Sequence, residues 1–453
     1  MEVSIETIAA IATPPGVGGV GIIRISGPDA TRIYRAIFSV KSLKPRYVQY
    51  GHIEDPKTHT QIDQVCAIYF KAPHSYTGED VIEFHCHSGP YILKSILALI
   101  IEQGAQIAGK GEFTKRAFLN GKMDLTTAES VIDLIHASSQ NAHYVALSHL
   151  KGSLFNTISK IRKYFMAQFE QIEGSMDFPD EVPAINRKQF EKECQHHLKH
   201  LSHMVSIQDY GRMITGGIRC VIVGRPNAGK SSLLNTLLGE SRSIVTSTPG
   251  TTRDYIDAEV EIGGVSVTFT DTAGIRESSD KIEKLGQSRV KSLIRSSHIV
   301  LWVMDNSDSF SKEDIAWYKV IKTCPHILVV NNKTDLKRAR LKLPDTFSRL
   351  PICRVSAKKA TGIHHIKDHI YNVFCKQAEN MDLDLVCNIR QLIVLKEVKQ
   401  FLEDLIQSLQ KGFEDDVLSI DVKAIIHKLG ELTGEEITEE TLDGIFSRFC
   451  VGK

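Results

Sequence analysis

The chain has 453 residues, 42% of them apolar and 24% charged, which places it among globular proteins and leaves room for about three domains of roughly 150 residues each. Its longest apolar run, Ile96–Ile101, is far too short to span a bilayer, and the acidic start MEVSIETIAA has no basic region of a secretory signal. Nine scattered cysteines with no CxxC pair argue against a zinc ribbon or thioredoxin motif and for a cytosolic chain with reduced thiols, while a net charge of +1 neither implies nor excludes nucleic acid.

Up to about residue 120, short β-like runs alternate with turns. GGVGIIRISG (Gly18–Gly27) and QVCAIYF (Gln64–Phe70) are rich in β-branched and aromatic residues near glycine or proline. HCH (His85, Cys86, His87) places two histidines on one face of a strand, a spacing that reads as ordinary strand chemistry and not as a metal site. From FLNGKMDLTTAES the texture turns helical. Leu125, Ala128, Ile132 and Ile135 recur at helical spacing, with Thr126 or Thr127 as the expected cap, and helices continue to about residue 215.

From Arg219 compact apolar runs alternate with helix-length segments. RCVIVG, VSVTFTD, HIVLWVMD, HILVVNN and LPICRVS predict a mostly parallel sheet covered by helices, ending near residue 375. The basic stretch Lys333–Lys342 reads as a solvated face. Beyond it the chain is helical again, so the α/β block is inserted between two helical stretches.

The inserted block carries a guanine-nucleotide signature. GRPNAGKS (Gly224–Ser231) follows a predicted strand and precedes a predicted helix. In that context glycines let backbone N–H groups curl around phosphates, the helix start adds a positive end, Lys230 reaches the β- and γ-phosphates and Ser231 takes Mg²⁺. Asn227, Ala228, Gly229 and Ser232 complete the loop. DTAG supplies Asp271, Thr272, Ala273 and Gly274 at a strand end, where a carboxylate approaches the metal and a glycine N–H meets the γ-phosphate. Between them TSTPGTTRD offers Thr246, Ser247, Thr248, Pro249, Gly250, Thr251 and Thr252, with Thr251 or Thr252 as a second hydroxyl for Mg²⁺. NKTD brings Asn332, Lys333 and Asp335. An aspartate there accepts two hydrogen bonds that guanine donates and adenine cannot. VSAK presents the backbone of Ser356, Ala357 and Lys358 to the guanine oxygen. The glutamine that orients water in Ras-like enzymes is replaced by Ile275, so another group must serve; Glu277 and Glu283 are candidates, each also readable as a solvated helix charge.

The chain ends in FSRFCVGK. Leu442, Ile445, Phe446 and Phe449 form one apolar stripe that delivers Cys450 to a fixed place near a terminal cation, Lys453.

With these residues together, the chain resembles the MnmE (TrmE) family of tRNA-modifying GTPases over essentially its whole length. The specific matches are ATPPGVGGVGIIRISG, SYTGEDVIE, GEFTKRAFLNGKMDLTTAES, the inserted GTPase block and the Cys-x-Gly-Lys tail. The resemblance implies a multidomain α/β and α protein: an N-terminal α+β folate-binding and dimerisation domain (1–120), a discontinuous all-helical domain (121–215 and 376–453) and a Ras-like α/β GTPase domain (216–375). It implies folate contacts at Arg24, Glu83, Lys122 and Lys453, with a 5-formyl- or methylene-tetrahydrofolate as cofactor. It implies K⁺ at Asn227, Thr246, Thr248 and Thr251, Mg²⁺ at Ser231 and Thr252, water positioning by Glu283 and a role for Cys450 beside the tRNA chemistry. The implied partners are a second copy of the chain, an FAD-containing MnmG-like protein forming a heterotetramer, and tRNA, with no membrane. The implied outcome is a carboxymethylaminomethyl or aminomethyl group on carbon 5 of a wobble uridine. The rival expectation is a ribosome-assembly-type GTPase that binds RNA without modifying it.

Overall fold

The computed structural model describes residues 6–239, 257–272 and 283–453. The chain divides into two compact units, one of Met1–Ile132, His149–Leu198 and Val394–Lys453, the other of Asp133–Ser148 and Lys199–Ile393.

The first unit contains a six-stranded sheet built from β1 (Ile8–Ile11), β2 (Gly18–Ser26), β3 (Val48–Glu54), β4 (Gln61–Phe70), β5 (Val81–Ser88) and β6 (Gln106–Ile107), in the order β3-β4-β5-β2-β1-β6. Only the β1–β6 pair is parallel. The alternating burial along β4 and β5 follows from their β-branched and aromatic runs, with one face packed under the helices Ala30–Ile37 and Pro90–Glu102. Ile23, Ile25, Tyr34, Phe38, Phe84, Ile96 and Ile100 fill this core. His85 and His87 share the opposite side, each beside a carboxylate of its own: His85 3.4 Å from Glu83 and His87 2.7 Å from Asp63. The strand reading of HCH therefore holds.

The same unit holds the long helices Ser153–Asp177 and Asp415–Thr433, which pack together although more than two hundred residues separate them in sequence. The helix Leu125–His136 departs from expectation twice. Asp124, not a threonine, caps it: its carboxylate accepts from the Thr127 amide at 3.0 Å and from both threonine hydroxyls. Ile135 is 47% exposed, so the apolar stripe ends a turn early. Leu125 and Ala128 pack with Leu442, Phe446 and Phe449, and this cluster pins the chain's end.

In the second unit, β7 (Ile218–Gly224), β8 (Asp257–Ile262), β9 (Val265–Asp271), β10 (Ile299–Asp305), β11 (His326–Asn332) and β12 (Ile352–Arg354) form a sheet of order β12-β11-β10-β7-β9-β8. All pairs are parallel except β8–β9. The near-continuous apolar strands β7 and β10 are buried on both faces, as a parallel sheet covered by helices requires. The antiparallel strand β8, absent from the sequence reading, turns into β9 through Gly263 and Gly264, both at positive φ.

Phe446 is 2% exposed and sits in the cluster that anchors the tail. Phe446→Ala should destabilise the first unit by about 3–5 kcal/mol and release the last residues to carboxypeptidase. Urea denaturation together with tail proteolysis checks this, and an unchanged digestion rate would refute the anchoring role.

Candidate functional site

The nucleotide motifs converge at the carboxyl ends of β7, β9, β10 and β11, where open α/β sheets place their ligands. Gly224 ends β7 at φ +149°, and a methyl group there would lie 2.2 Å from the Val303 carbonyl oxygen on β10. Only glycine lets the loop leave the sheet this closely. Asn227 adopts φ +60° at the loop's exposed rim, and Gly229 φ +91°. Lys230 opens the helix Lys230–Gly239. Its ammonium donates to the Gly224 and Arg225 carbonyls at 3.2 and 2.9 Å, bracing the loop.

Beside it, Ser231 Oγ donates to Asp271 Oδ2 at 2.7 Å. A hydroxyl from the first turn of the helix Lys230–Gly239 and a carboxylate from the end of β9 form the hard-oxygen pair that suits Mg²⁺. Thr272 fixes the end of β9 by donating its hydroxyl to the Ile222 carbonyl at 2.9 Å.

Asn332 joins the phosphate loop to the base loops. Its amide donates to the Ala228 carbonyl at 2.9 Å and its oxygen accepts from the Ala357 N–H at 3.0 Å. Lys333, at φ +62°, donates to the Asn227 carbonyl and to Asp305 Oδ2, both at 2.7 Å. Burial pushes the Asp305 carboxyl up, but the bonds from Lys333 and Ser307 outweigh it and hold the carboxyl below its ordinary value. Asp335 accepts from the buried Ser356 hydroxyl at 2.6 Å, which holds its carboxyl below the ordinary value. Ser232 follows in the helix, and Lys358 is exposed. Thr246, Ser247, Thr248, Pro249, Gly250, Thr251, Thr252, Ala273, Gly274, Ile275 and Glu277 lie outside the described residues. Glu283 begins the helix Glu283–Ser296.

A second constellation lies in the first unit. Arg24 and Glu83 are directly opposite across β2 and β5. Arg24 Nε donates to Glu83 Oε1 at 2.9 Å, with both side chains about 15% exposed (14% and 16%). The guanidinium also lies 5.5 Å from the ring centroids of both Tyr76 and Phe113, and donates at 3.1 Å to the carbonyl of Gly452. Val451 pairs with Lys110, and the Cys450 carbonyl accepts from Gly111 N–H at 3.3 Å. Gly452 is buried at φ +93°, where a methyl would lie 2.7 Å from the Ile11 carbonyl oxygen. The tail is therefore seated, not frayed. Burial, then the Arg24 charge, lowers the Lys453 pKa, so its amine belongs to this polar cluster. The Cys450 side chain is exposed. Lys122 stands apart: its ammonium is exposed and donates to the Pro73 carbonyl at 2.9 Å.

Tyr76, Phe113 and Arg116 escaped the sequence reading. Arg116 is 2% exposed and pairs with Glu79 at 3.2 Å and Glu112 at 2.9 Å, while Glu79 also accepts from Ser26 at 2.6 Å. This network locks the helix Glu112–Leu119, which carries Phe113, onto β2. An alternating strand and an arginine at helical spacing from Glu112 hinted at it, but the pairing partner lies elsewhere in the chain.

The parallel sheet, the braced phosphate loop, the Ser231–Asp271 pair and the Asp335 base loop define the class of the second unit: a phosphate-loop GTPase. Residues 7–122 match the family model described as the GTP-binding protein TrmE N-terminus, and residues 125–450 the one described as the MnmE helical domain. The chain is 38% identical over 458 residues to the tRNA modification GTPase MnmE of Thermoanaerobacter pseudethanolicus, and 39% identical over 463 residues to that of Natranaerobius thermophilus, covering 99% of each chain. The relative from Thermotoga maritima is 39% identical over 454 residues, covering 99% of this chain and all of that one. The chain belongs to the MnmE family of tRNA modification GTPases.

If Asp335 accepts from guanine's two donors, as expected from NKTD, Asp335→Asn removes that acceptor. GTP affinity should fall by about 10²-fold or more, with affinity gained for xanthosine triphosphate, whose 2-oxo group matches an amide donor. Competition binding with both nucleotides checks this, and an unchanged GTP affinity would contradict the assignment.

Proposed function

We propose that the chain hydrolyses GTP to drive a conformational cycle that supports modification of tRNA, the activity carried in its relatives' names. In the finer reading, the product is an aminomethyl or carboxymethylaminomethyl group on carbon 5 of the wobble uridine of certain tRNAs. The one-carbon unit comes from a tetrahydrofolate derivative, and an FAD-containing MnmG-like protein is the partner in a heterotetramer built on a homodimer of this chain. In this reading the domains are 1–120, 121–215 with 376–453, and 216–375.

The observation that carries this reading is the bond from Arg24 to the Gly452 carbonyl, which seats a Cys-x-Gly-Lys tail against the Arg24–Glu83 pair. A nucleotide switch alone has no need of that arrangement. The donor set fits a folate. Glu83 suits the amino–imino edge of a pterin, Tyr76 and Phe113 offer aromatic faces to a planar ring, and Arg24, Lys453 and Lys122 suit the carboxylates of a glutamate tail. In this reading the Cys450 thiol, exposed two residues before Gly452, acts on the tRNA chemistry.

At the GTPase site, Lys230 reaches the β- and γ-phosphates by exchanging its bonds to the loop carbonyls. Ser231 and Thr252 ligate Mg²⁺, with Asp271 holding the serine. The Asn227 side chain, exposed at the loop rim, joins Thr246, Thr248 and Thr251 around K⁺, which supplies charge that an arginine finger supplies elsewhere. Glu283 orients the attacking water when two GTPase domains meet.

Arg24→Ala should lower folate affinity by about 10-fold or more, as loss of a charge-assisted contact implies, and abolish wobble-uridine modification while leaving GTP affinity unchanged. Folate titration and mass spectrometry of tRNA from cells carrying the variant check both, and retained modification in a deletion strain would sink the enzymatic reading. GTP turnover should be at least about 10-fold faster in K⁺ than in Na⁺ at equal ionic strength. Equal rates would remove the K⁺ assignment and leave the rest standing.

A further inference from the structure

We propose that His364, His365 and Asp368 form a binding site for a transition-metal dication of the Zn²⁺, Co²⁺ or Ni²⁺ class, on the helix Ile363–Ile370. One ligand atom from each of the three side chains, two ring nitrogens and a carboxylate oxygen, lies within 4.8 Å of the others. Helix geometry explains the convergence. Asp368 follows His364 by four residues and His365 by three, the two spacings at which helical side chains meet. The imidazole centroids are 4.0 Å apart with their planes at 49°.

Ligands held at about 2.0–2.2 Å around a tetrahedral metal lie roughly 3.4 Å from one another. Closing from 4.8 Å takes only side-chain rotation, and all three side chains are exposed. Among the described residues, none of the three makes a hydrogen bond or ion pair through its side chain. Two imidazoles with one carboxylate favour these ions over Mg²⁺ or Ca²⁺, which take all-oxygen sets, and water fills the remaining positions. Cys353 lies behind the site and is no ligand: its buried thiol, raised in pKa by burial and by Asp368, donates to the His365 carbonyl at 3.5 Å.

The helix is joined directly to the loop that serves guanine. Ser356 and Thr361 exchange backbone hydrogen bonds of 2.9 and 3.1 Å. Gly362, at φ +76°, passes so close to the chain that a methyl there would lie 2.3 Å from the Arg354 carbonyl oxygen. Ser356 in turn holds Asp335. A metal that fastens the first turn of the helix stiffens this segment, and by linkage guanine nucleotide and metal each tighten the other.

The test is Co²⁺ titration of the full-length, untagged protein in excess Mg²⁺ and GDP, followed by visible absorption. Binding with a Kd of about 10 µM or tighter is expected, weakened at least about 10-fold in the His364→Ala/His365→Ala double variant and in Asp368→Asn. GDP should bind about 2–5-fold tighter with Co²⁺ present in the unmodified chain and not in the variants, whose metal-free GDP affinity reports that they are folded. Equal Co²⁺ binding by the unmodified and double-variant proteins, or a Kd weaker than about 1 mM, overturns the site. An unchanged GDP affinity with Co²⁺ bound overturns the coupling.

Discussion

A buried backbone carbonyl must find a donor, and both sites of this protein are fixed by how such carbonyls find one. In the second unit the carbonyl is that of Ala228, served by the Asn332 amide, which also accepts from Ala357. One side chain thereby sets the spacing between the phosphate loop and the base loop. In the first unit the carbonyl is that of Gly452, served by Arg24, which also binds Glu83. One guanidinium thereby sets the spacing between the sheet and the chain's end. Each donor serves two partners, so neither can move without leaving a polar group unpaired.

Close backbone approach is the second recurring device. Gly224, Gly362 and Gly452 each pass within a distance of another strand's or loop's backbone at which a methyl group would collide. They stand where the chain leaves a strand for the phosphate loop, where the base loop enters its helix, and where the tail crosses β1. Other residues would push these segments apart by more than the hydrogen bonds that hold them could offset.

The tail shows how packing and polar contact divide the work. Phe446 and Phe449 supply non-directional burial against Leu125, Ala128 and Leu442 and bring the terminus to the sheet. They do not fix its final register. The Lys110–Val451 bridge and the bond from Gly111 to Cys450 do that, leaving the Cys450 thiol exposed. The Arg116 network secures the other side by locking the helix that carries Phe113, so the aromatic floor under Arg24 is held from within.

The sequence by itself determined what depends on neighbours along the chain. The phosphate loop between a strand and a helix, the parallel-sheet runs and the apolar stripe at Leu442, Phe446 and Phe449 were all legible, because loop chemistry and helical spacing are local. Tertiary structure alone decided what depends on residues far apart. The pairing of Arg24 with Glu83 is a matter of strand register, and its reach to Gly452 spans almost the whole chain. Tyr76, Phe113 and Arg116 left at most a local hint in the sequence, because their partners are assembled by folding. Asp124 takes the cap expected of a threonine, because there the nearest acceptor in space prevailed over the expectation from type and position.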